Sequence, residues 1–84
     1  MKHGYVIKVI NNVAEICEFE TITILTMPDG SKLYCIHTKY GDEYYPERDL
    51  SESREKLIGE CESLNKALAG AVNERSVYKV RRQR

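Results

Sequence analysis

Tryptophan is absent from this 84-residue sequence, proline occurs only twice, and no long apolar run is present. A membrane-spanning helix needs about 20 consecutive apolar residues, so a transmembrane helix is excluded and we expect no membrane contact. Charged residues within the first apolar stretch also argue against a signal peptide. Because 13 basic residues balance 13 acidic residues, no net field draws the chain to nucleic acid or to anionic lipid.

Cysteine is scarce as well. The three residues Cys17, Cys35 and Cys61 are an odd number, too few for the disulfide frameworks of small secreted domains. This count favours a reducing, cytoplasmic location. Of the possible zinc ligands, only Cys35 and His37 approach the spacing of a ligand pair, and no second pair matches them. We therefore expect three free, buried thiols, no metal and no cofactor.

The size and the residue pattern argue against catalysis. A chain this short buries roughly 60 to 65% of its extended surface, which leaves little room for a walled active site. The five glycines are scattered singly, so no phosphate-binding loop is present. Cys35 and His37 are neighbours on one strand face, without a third group to orient them for nucleophilic attack. We predict a single domain over residues 1–84 that is not an enzyme.

The first half of the chain predicts antiparallel strands. Residues 4–10 and 13–26 are rich in Val, Ile, Tyr and Thr, and Asn11-Asn12 between them suits a hairpin turn. The apolar phase is odd at Cys17 and Phe19 and even at Ile22 and Ile24. Because a period-2 pattern changes phase only where a strand bulges or bends, we place a bend near Glu20-Thr21.

Two more strands follow before residue 50. Met27-Pro28-Asp29-Gly30 is a turn, and residues 32–40 form a third strand in which Cys35 faces residues near Thr23. This register keeps Cys35 several steps from Cys17 and argues against a disulfide between them. A turn at residues 40–43 then leads to a short strand at Tyr44-Tyr45, which Pro46 ends.

The second half changes to helical periodicity. The three-and-four spacing of Leu57, Cys61, Leu64 and Leu68 predicts an amphipathic helix over residues 53–72, with these four side chains facing the sheet. Residues 76–84 form either a short strand or a basic tail. Within them, Val77–Val80 fits a last strand or a helical extension, and we favour the strand.

This order of elements resembles a known family. The segments that carry the likeness are Ile16-Cys17-Glu18-Phe19, Ile22-Thr23-Ile24, Gly30 with Tyr34 and Ile36, and Tyr45-Pro46-Glu47-Arg48-Asp49-Leu50. Over residues 4 to about 70 the chain is similar to small SH3-like barrel proteins with a C-terminal helix, which occur among uncharacterised bacterial and phage proteins. Ser51-Glu52 stands where an aromatic pair is expected. The resemblance implies an α+β fold, a small antiparallel SH3-like β-barrel of four to five strands followed by one amphipathic helix, used for interaction.

Tyrosine provides six of the seven aromatic residues, and several tyrosines lie beside carboxylates. Tyrosine is enriched at interfaces because it combines rigid apolar area with a polar group. In SH3-like folds a Tyr-rich, acidic groove typically takes extended peptides or basic segments. Alternation places Tyr44 and Tyr45 on opposite faces, so one of them lies in the core. The predicted protein-binding residues are Tyr40, Asp42, Glu43, Tyr44 and Tyr45.

The charges are unevenly distributed along the chain. Residues 1–50 contain five basic and eight acidic residues, whereas residues 51–84 contain eight basic and five acidic residues. The C-terminal group of Tyr78, Lys79, Arg81, Arg82 and Arg84 is either a solubilising terminus or a contact for phosphate or an acidic partner. We predict a non-enzymatic protein-binding module, monomeric or homodimeric, such as a phage or mobile-element adaptor or inhibitor of a host protein. The alternative is an RNA or single-strand DNA binder that uses this tail and exposed tyrosines.

Overall fold

The computed structural model describes residues 1–82, with side chains described up to Gly70, and has an α+β fold. Its elements are the strands β1 (His3–Ile10), β2 (Val13–Thr26), β3 (Lys32–Thr38), β4 (Gly41–Pro46) and β5 (Leu50–Ser51), a 3-10 turn (Glu47–Asp49) and the helix α1 (Arg54–Arg82). The strands form one antiparallel sheet in the order β4-β3-β2-β1-β5. The α+β part of the predicted fold is confirmed, and the described five-stranded sheet is not closed between β4 and β5.

Three local predictions about β2 are confirmed. Asn11 and Asn12 adopt φ angles of 51° and 65°, the left-handed conformation that a tight two-residue hairpin turn needs. The register between β2 and β3 shifts between Thr21 and Thr23, which makes Ile22 the extra residue of a bulge. Cys35 pairs with Thr23, as the sequence predicted.

The turn after β3 lies earlier than predicted. β3 ends at Thr38 and β4 begins at Gly41, so Asp42 and Glu43 are strand residues and not turn residues. Gly41 closes the turn with a φ of 104°, a conformation that costs glycine little. Acidic residues are disfavoured in strands, but Glu43 is held by an ion pair with Lys8, and Asp42 Oδ1 lies 2.6 Å from Nδ1 of its cross-strand neighbour His37. The short strand β5 and the 3-10 turn before it were not predicted.

The helix is longer than the predicted 53–72. It continues to Arg82, so Val77–Val80 is helical and the strand that we favoured there is wrong. Adding a residue to an existing helix gains a hydrogen bond at once, whereas a strand needs a free edge to pair with. No helix in the part of the chain that the structure describes is both long and apolar enough to cross a membrane.

The core lies on one face of the sheet, which we call the inner face. It is built from side chains of four strands, namely Val6, Cys17, Phe19, Tyr34, Ile36 and Leu50, with Met1 and Tyr45 packed against them. Alternation along β3 sends Tyr34, Ile36 and Thr38 into this core. Cys17, Cys35 and Cys61 are free and buried, in agreement with the prediction.

The helix packs mainly against β2 and β1 and attaches to the sheet through its first turns. Leu57 and Cys61 are buried, whereas Leu64 and Leu68 of the predicted stripe are only half-buried. The amide of Asn65 holds the backbone of Ala14 at both polar groups, accepting from its N–H at 2.7 Å and donating to its C=O at 2.9 Å. These two hydrogen bonds satisfy the backbone N–H and C=O of Ala14, which lies in the part of β2 that does not pair with β3.

We expect the substitution Leu57→Ala to lower the free energy of unfolding by about 2 to 3 kcal/mol, because it removes a buried side chain and leaves a cavity. Leu64→Ala should cost only about 1 kcal/mol, since its side chain already contacts solvent. Urea titration of both variants measures the difference. Equal losses at the two positions would contradict this account of helix docking.

Candidate protein-binding site

Four of the five predicted binding residues lie in β4 and are divided between two faces of the sheet, and Tyr40 lies in the turn before this strand. Glu43 and Tyr45 pair with the buried residues Ile36 and Tyr34 and therefore share their inner face. Tyr44 and Asp42 lie on the outer face. As alternation required, Tyr45 packs against the core, while Tyr44 is 57% exposed.

At one end of the inner face, the buried base Lys8 organises a polar cluster. The Lys8 ammonium is paired with the carboxylate of Glu43 and lies 5.7 Å and 5.8 Å from the ring centres of Tyr40 and Tyr45. These distances are within the range of cation–π attraction. We call Lys8, Glu15, Lys39, Tyr40, Glu43 and Tyr45 the Lys8 cluster.

Hydrogen bonds fix the rest of the Lys8 cluster. The Tyr40 hydroxyl donates to Glu15, which raises the pKa of Tyr40 and lowers that of Glu15. Lys39 lies 3.5 Å from Glu15, and the charge of Glu15 raises the pKa of Lys39. Burial raises the pKa of the nearby Cys17 thiol, so this cysteine stays a thiol and is a poor nucleophile. The predicted Tyr-acid groove is thus filled by bases of the chain itself.

The outer face of the sheet carries exposed apolar side chains where β2, β3 and β4 pair. The register places Thr23, Cys35 and Tyr44 in one row, and Leu25, Leu33 and Pro46 in the next. Tyr44 and Leu25 are 57% and 43% exposed. We call Thr23, Leu25, Leu33, Asp42 and Tyr44 the outer patch.

The outer patch contains one acidic residue. Asp42 Oδ1 lies 2.6 Å from His37 Nδ1, and both side chains are more than half exposed. The sequence predicted Tyr44 and Asp42 as binding residues but not Leu25 and Leu33. The signal was available in the phase change at the bulge, because it turns Leu25 to the face opposite the buried Tyr34.

The backbone of β4 is also available at this site. Pro46 pairs with Leu33 but has no N–H, so this pair cannot exchange both hydrogen bonds. Because the two kinds of pair alternate in an antiparallel ladder, Tyr45 and Glu43 bond to β3. The N–H groups of Asp42 and Tyr44 therefore point away from β3. In the described sheet, β4 is a terminal strand, and this side of it is a free edge.

The described side chains do not support a metal site. A surface depression of about 520 Å³ is lined in part by His3, Glu20 and His37, which the register places in one row across three strands. Within residues 1–70, however, no three His, Cys, Asp or Glu side chains converge as metal ligands. Neither histidine is therefore given a ligand role.

The predicted C-terminal contact residues lie outside the described side chains. Tyr78, Lys79, Arg81 and Arg82 belong to α1 by backbone, and Arg84 lies beyond the described residues. The nucleic-acid alternative therefore depends on their sequence alone.

No protein-family model matches this chain, and no curated protein and no solved structure is significantly similar to it. The outer patch and the Lys8 cluster are therefore the two candidate binding surfaces.

Proposed function

We propose that this chain is a non-enzymatic, cytoplasmic protein-binding module and that the outer patch is its docking surface. The observation that carries the proposal is the exposure of Leu25 and Tyr44, 43% and 57%, on one face of the sheet, with Leu33 and Cys35 of β3 between their strands. Leu25 lies at the opposite end of β2 from Ala14, where the helix is attached. Contiguous exposed apolar area with a polar border is typical of protein interaction sites. An adaptor or inhibitor from a phage or mobile element, acting on a host protein, fits a module of this size.

The Lys8 cluster is the weaker of the two candidate surfaces. Its acidic groups, Glu43 and Glu15, already bind Lys8 and Lys39, and its exposed ring, Tyr40, is held by a hydrogen bond. A partner's basic side chain would have to displace these internal bases. A partner that binds the outer patch does not have to displace internal bases, because the exposed apolar side chains there face solvent.

We also propose that the sheet is a curled, SH3-like barrel that stops short of closure. The terminal strands β4 and β5 are separated only by the 3-10 turn Glu47–Asp49. Three residues of 3-10 helix rise about 6 Å, so the two edges lie close together at this end. The bulge at Ile22 supplies the bend that such curling requires.

Affinity capture followed by substitution at the outer patch tests the proposed function. Leu25→Lys places a charge in the patch and should weaken binding of the captured protein at least about tenfold. Val13→Lys is the matched control, because Val13 is 58% exposed at the hairpin on the other end of β2. An equal loss of binding in both variants, or in neither, would refute docking at the outer patch.

The same material tests the nucleic-acid alternative, which the basic C-terminal half supports. Four phosphate contacts from Lys79, Arg81, Arg82 and Arg84 would give a slope of log affinity against log salt of about −3 on single strands. We expect no binding of mixed-sequence RNA or single-strand DNA tighter than about micromolar at physiological salt. A slope near that value that disappears when residues 79–84 are removed would favour the alternative.

A further inference from the structure

We propose that the partner contributes an extended segment that adds to the free edge of β4 as a sixth strand, with apolar and basic side chains alternating along it. This inference rests on the proposed function, because the added strand would lie beside the outer patch. It specifies how the partner binds and which chemistry it carries.

The backbone of β4 has the donors that strand addition needs. The outward N–H groups of Asp42 and Tyr44 are two residues apart, which is the repeat of one edge of a strand. In the described sheet no strand pairs with this side of β4, so a neighbouring strand can approach. An extended peptide that pairs with such an edge gains main-chain hydrogen bonds, and its alternate side chains give specificity.

Charge selects a basic segment. Residues 41–49 contain four acidic residues and one basic residue, an excess of three negative charges. Lys8 neutralises one of these, at Glu43. On an added strand, side chains of one parity lie next to Asp42 and Tyr44 on the outer face, where the Asp42 side chain is 58% exposed. Those of the other parity lie next to Glu43 and Tyr45. Basic residues fit the first set and apolar residues fit the second, because Lys8 already pairs with Glu43.

A second copy of the chain is a poorer occupant of this edge. An antiparallel pairing of β4 with itself would bring Asp42 and Glu43 of both copies into one short ladder, where facing like charges are destabilising. Acidic residues and a proline on an edge strand are common protection against this kind of self-association. The charge pattern therefore disfavours pairing between two copies of β4 and favours pairing of β4 with a basic segment.

Short synthetic peptides provide the probe. A peptide of alternating lysine and valine should bind at low salt at least about tenfold tighter than its glutamate–valine counterpart. Two further peptides carry N-methyl groups, one on every lysine and one on every valine. Because one edge of a strand uses the N–H groups of every second residue, only one of these two should lose binding. Equal binding by both methylated peptides would overturn strand addition.

Amide hydrogen exchange and one pair of variants locate the contact. Bound lysine–valine peptide should slow exchange at Asp42 and Tyr44 about tenfold or more, with little change at Glu43 and Tyr45, which already bond to β3. Tyr44→Pro and Tyr44→Ala both remove the ring, and only the proline variant removes the outward N–H. Tyr44→Pro should therefore bind the peptide more weakly than Tyr44→Ala.

The outcomes separate this inference from the proposed function. If Leu25→Lys abolishes capture of the protein partner while exchange at Asp42 and Tyr44 is unchanged by peptide and by partner, docking stands and strand addition is refuted. If the peptide and the partner each protect Asp42 and Tyr44, strand addition is supported. Concentration-dependent dimerisation with the same protection, in the absence of peptide, would assign the edge to a second copy and refute the inference.

Discussion

Replacing Gly4 with alanine is expected to destabilise the domain by about 3 kcal/mol or more, one of the largest effects of any single methyl group here. A Cβ atom at this position would lie 2.6 Å from the carbonyl oxygen of Ser51 and 2.7 Å from the ring of Phe19. The first neighbour is backbone of β5, and the second is a buried core ring. Neither can move without opening the contact between β1 and β5 or the core.

Thermal unfolding measures this effect directly. For a domain of this size, 3 kcal/mol corresponds to a fall in Tm of more than about 10 °C. Gly59→Ala is the matched control, because a Cβ at Gly59 meets nothing within 4 Å and alanine favours the helix by about 1 kcal/mol. The control should raise Tm. A Gly4→Ala protein as stable as the original would show that β5 does not lie against β1 as described.

The pair Lys8 and Glu43 should respond asymmetrically to substitution. Glu43→Gln leaves the ammonium of Lys8, 7% exposed, without its counter-ion, and breaking such a pair from one side costs about 3 kcal/mol. Lys8→Met removes the buried charge and fills the same space with apolar atoms. Its carboxylate partner is 43% exposed and can be hydrated, so we expect a change below about 1 kcal/mol.

Urea titration of the two single variants and the double variant gives the coupling between them. The double variant should resemble Lys8→Met, since the buried charge is gone in both. Equal destabilisation by the two single substitutions would mean that Lys8 is solvated and does not organise the inner face.

Local sequence patterns were sufficient for much of the fold. Asn11-Asn12 specified the first hairpin through its backbone conformation, and the phase change after Phe19 located the bulge to within two residues. The spacing from Leu57 to Cys61 identified the buried helix face. Each of these features depends on residues that are near one another in the chain.

Features that depend on residues distant in the chain could not be predicted from local sequence patterns. In the sequence, Lys8 is a charged residue within an apolar strand. Its partner Glu43 is 35 residues away in the chain, so no local pattern indicates the pair. β5 contains two residues, too few to show a period, and exists because β1 offers it an edge. The register of β4 decides which tyrosines lie in the outer patch and which lie in the Lys8 cluster. The sequence did not predict this register, because the predicted turn lies two residues too late in the chain.

Hydrogen exchange of the chain in complex with its captured protein partner tests the central claim most directly. Docking on the outer patch predicts that the partner slows exchange within residues 23–25 and 42–44, relative to the free chain, and leaves Tyr40 and the exposed face of α1 unchanged. Protection confined to the turn at Lys39-Tyr40, or to the helix, with residues 23–25 and 42–44 exchanging as in the free chain, would contradict it.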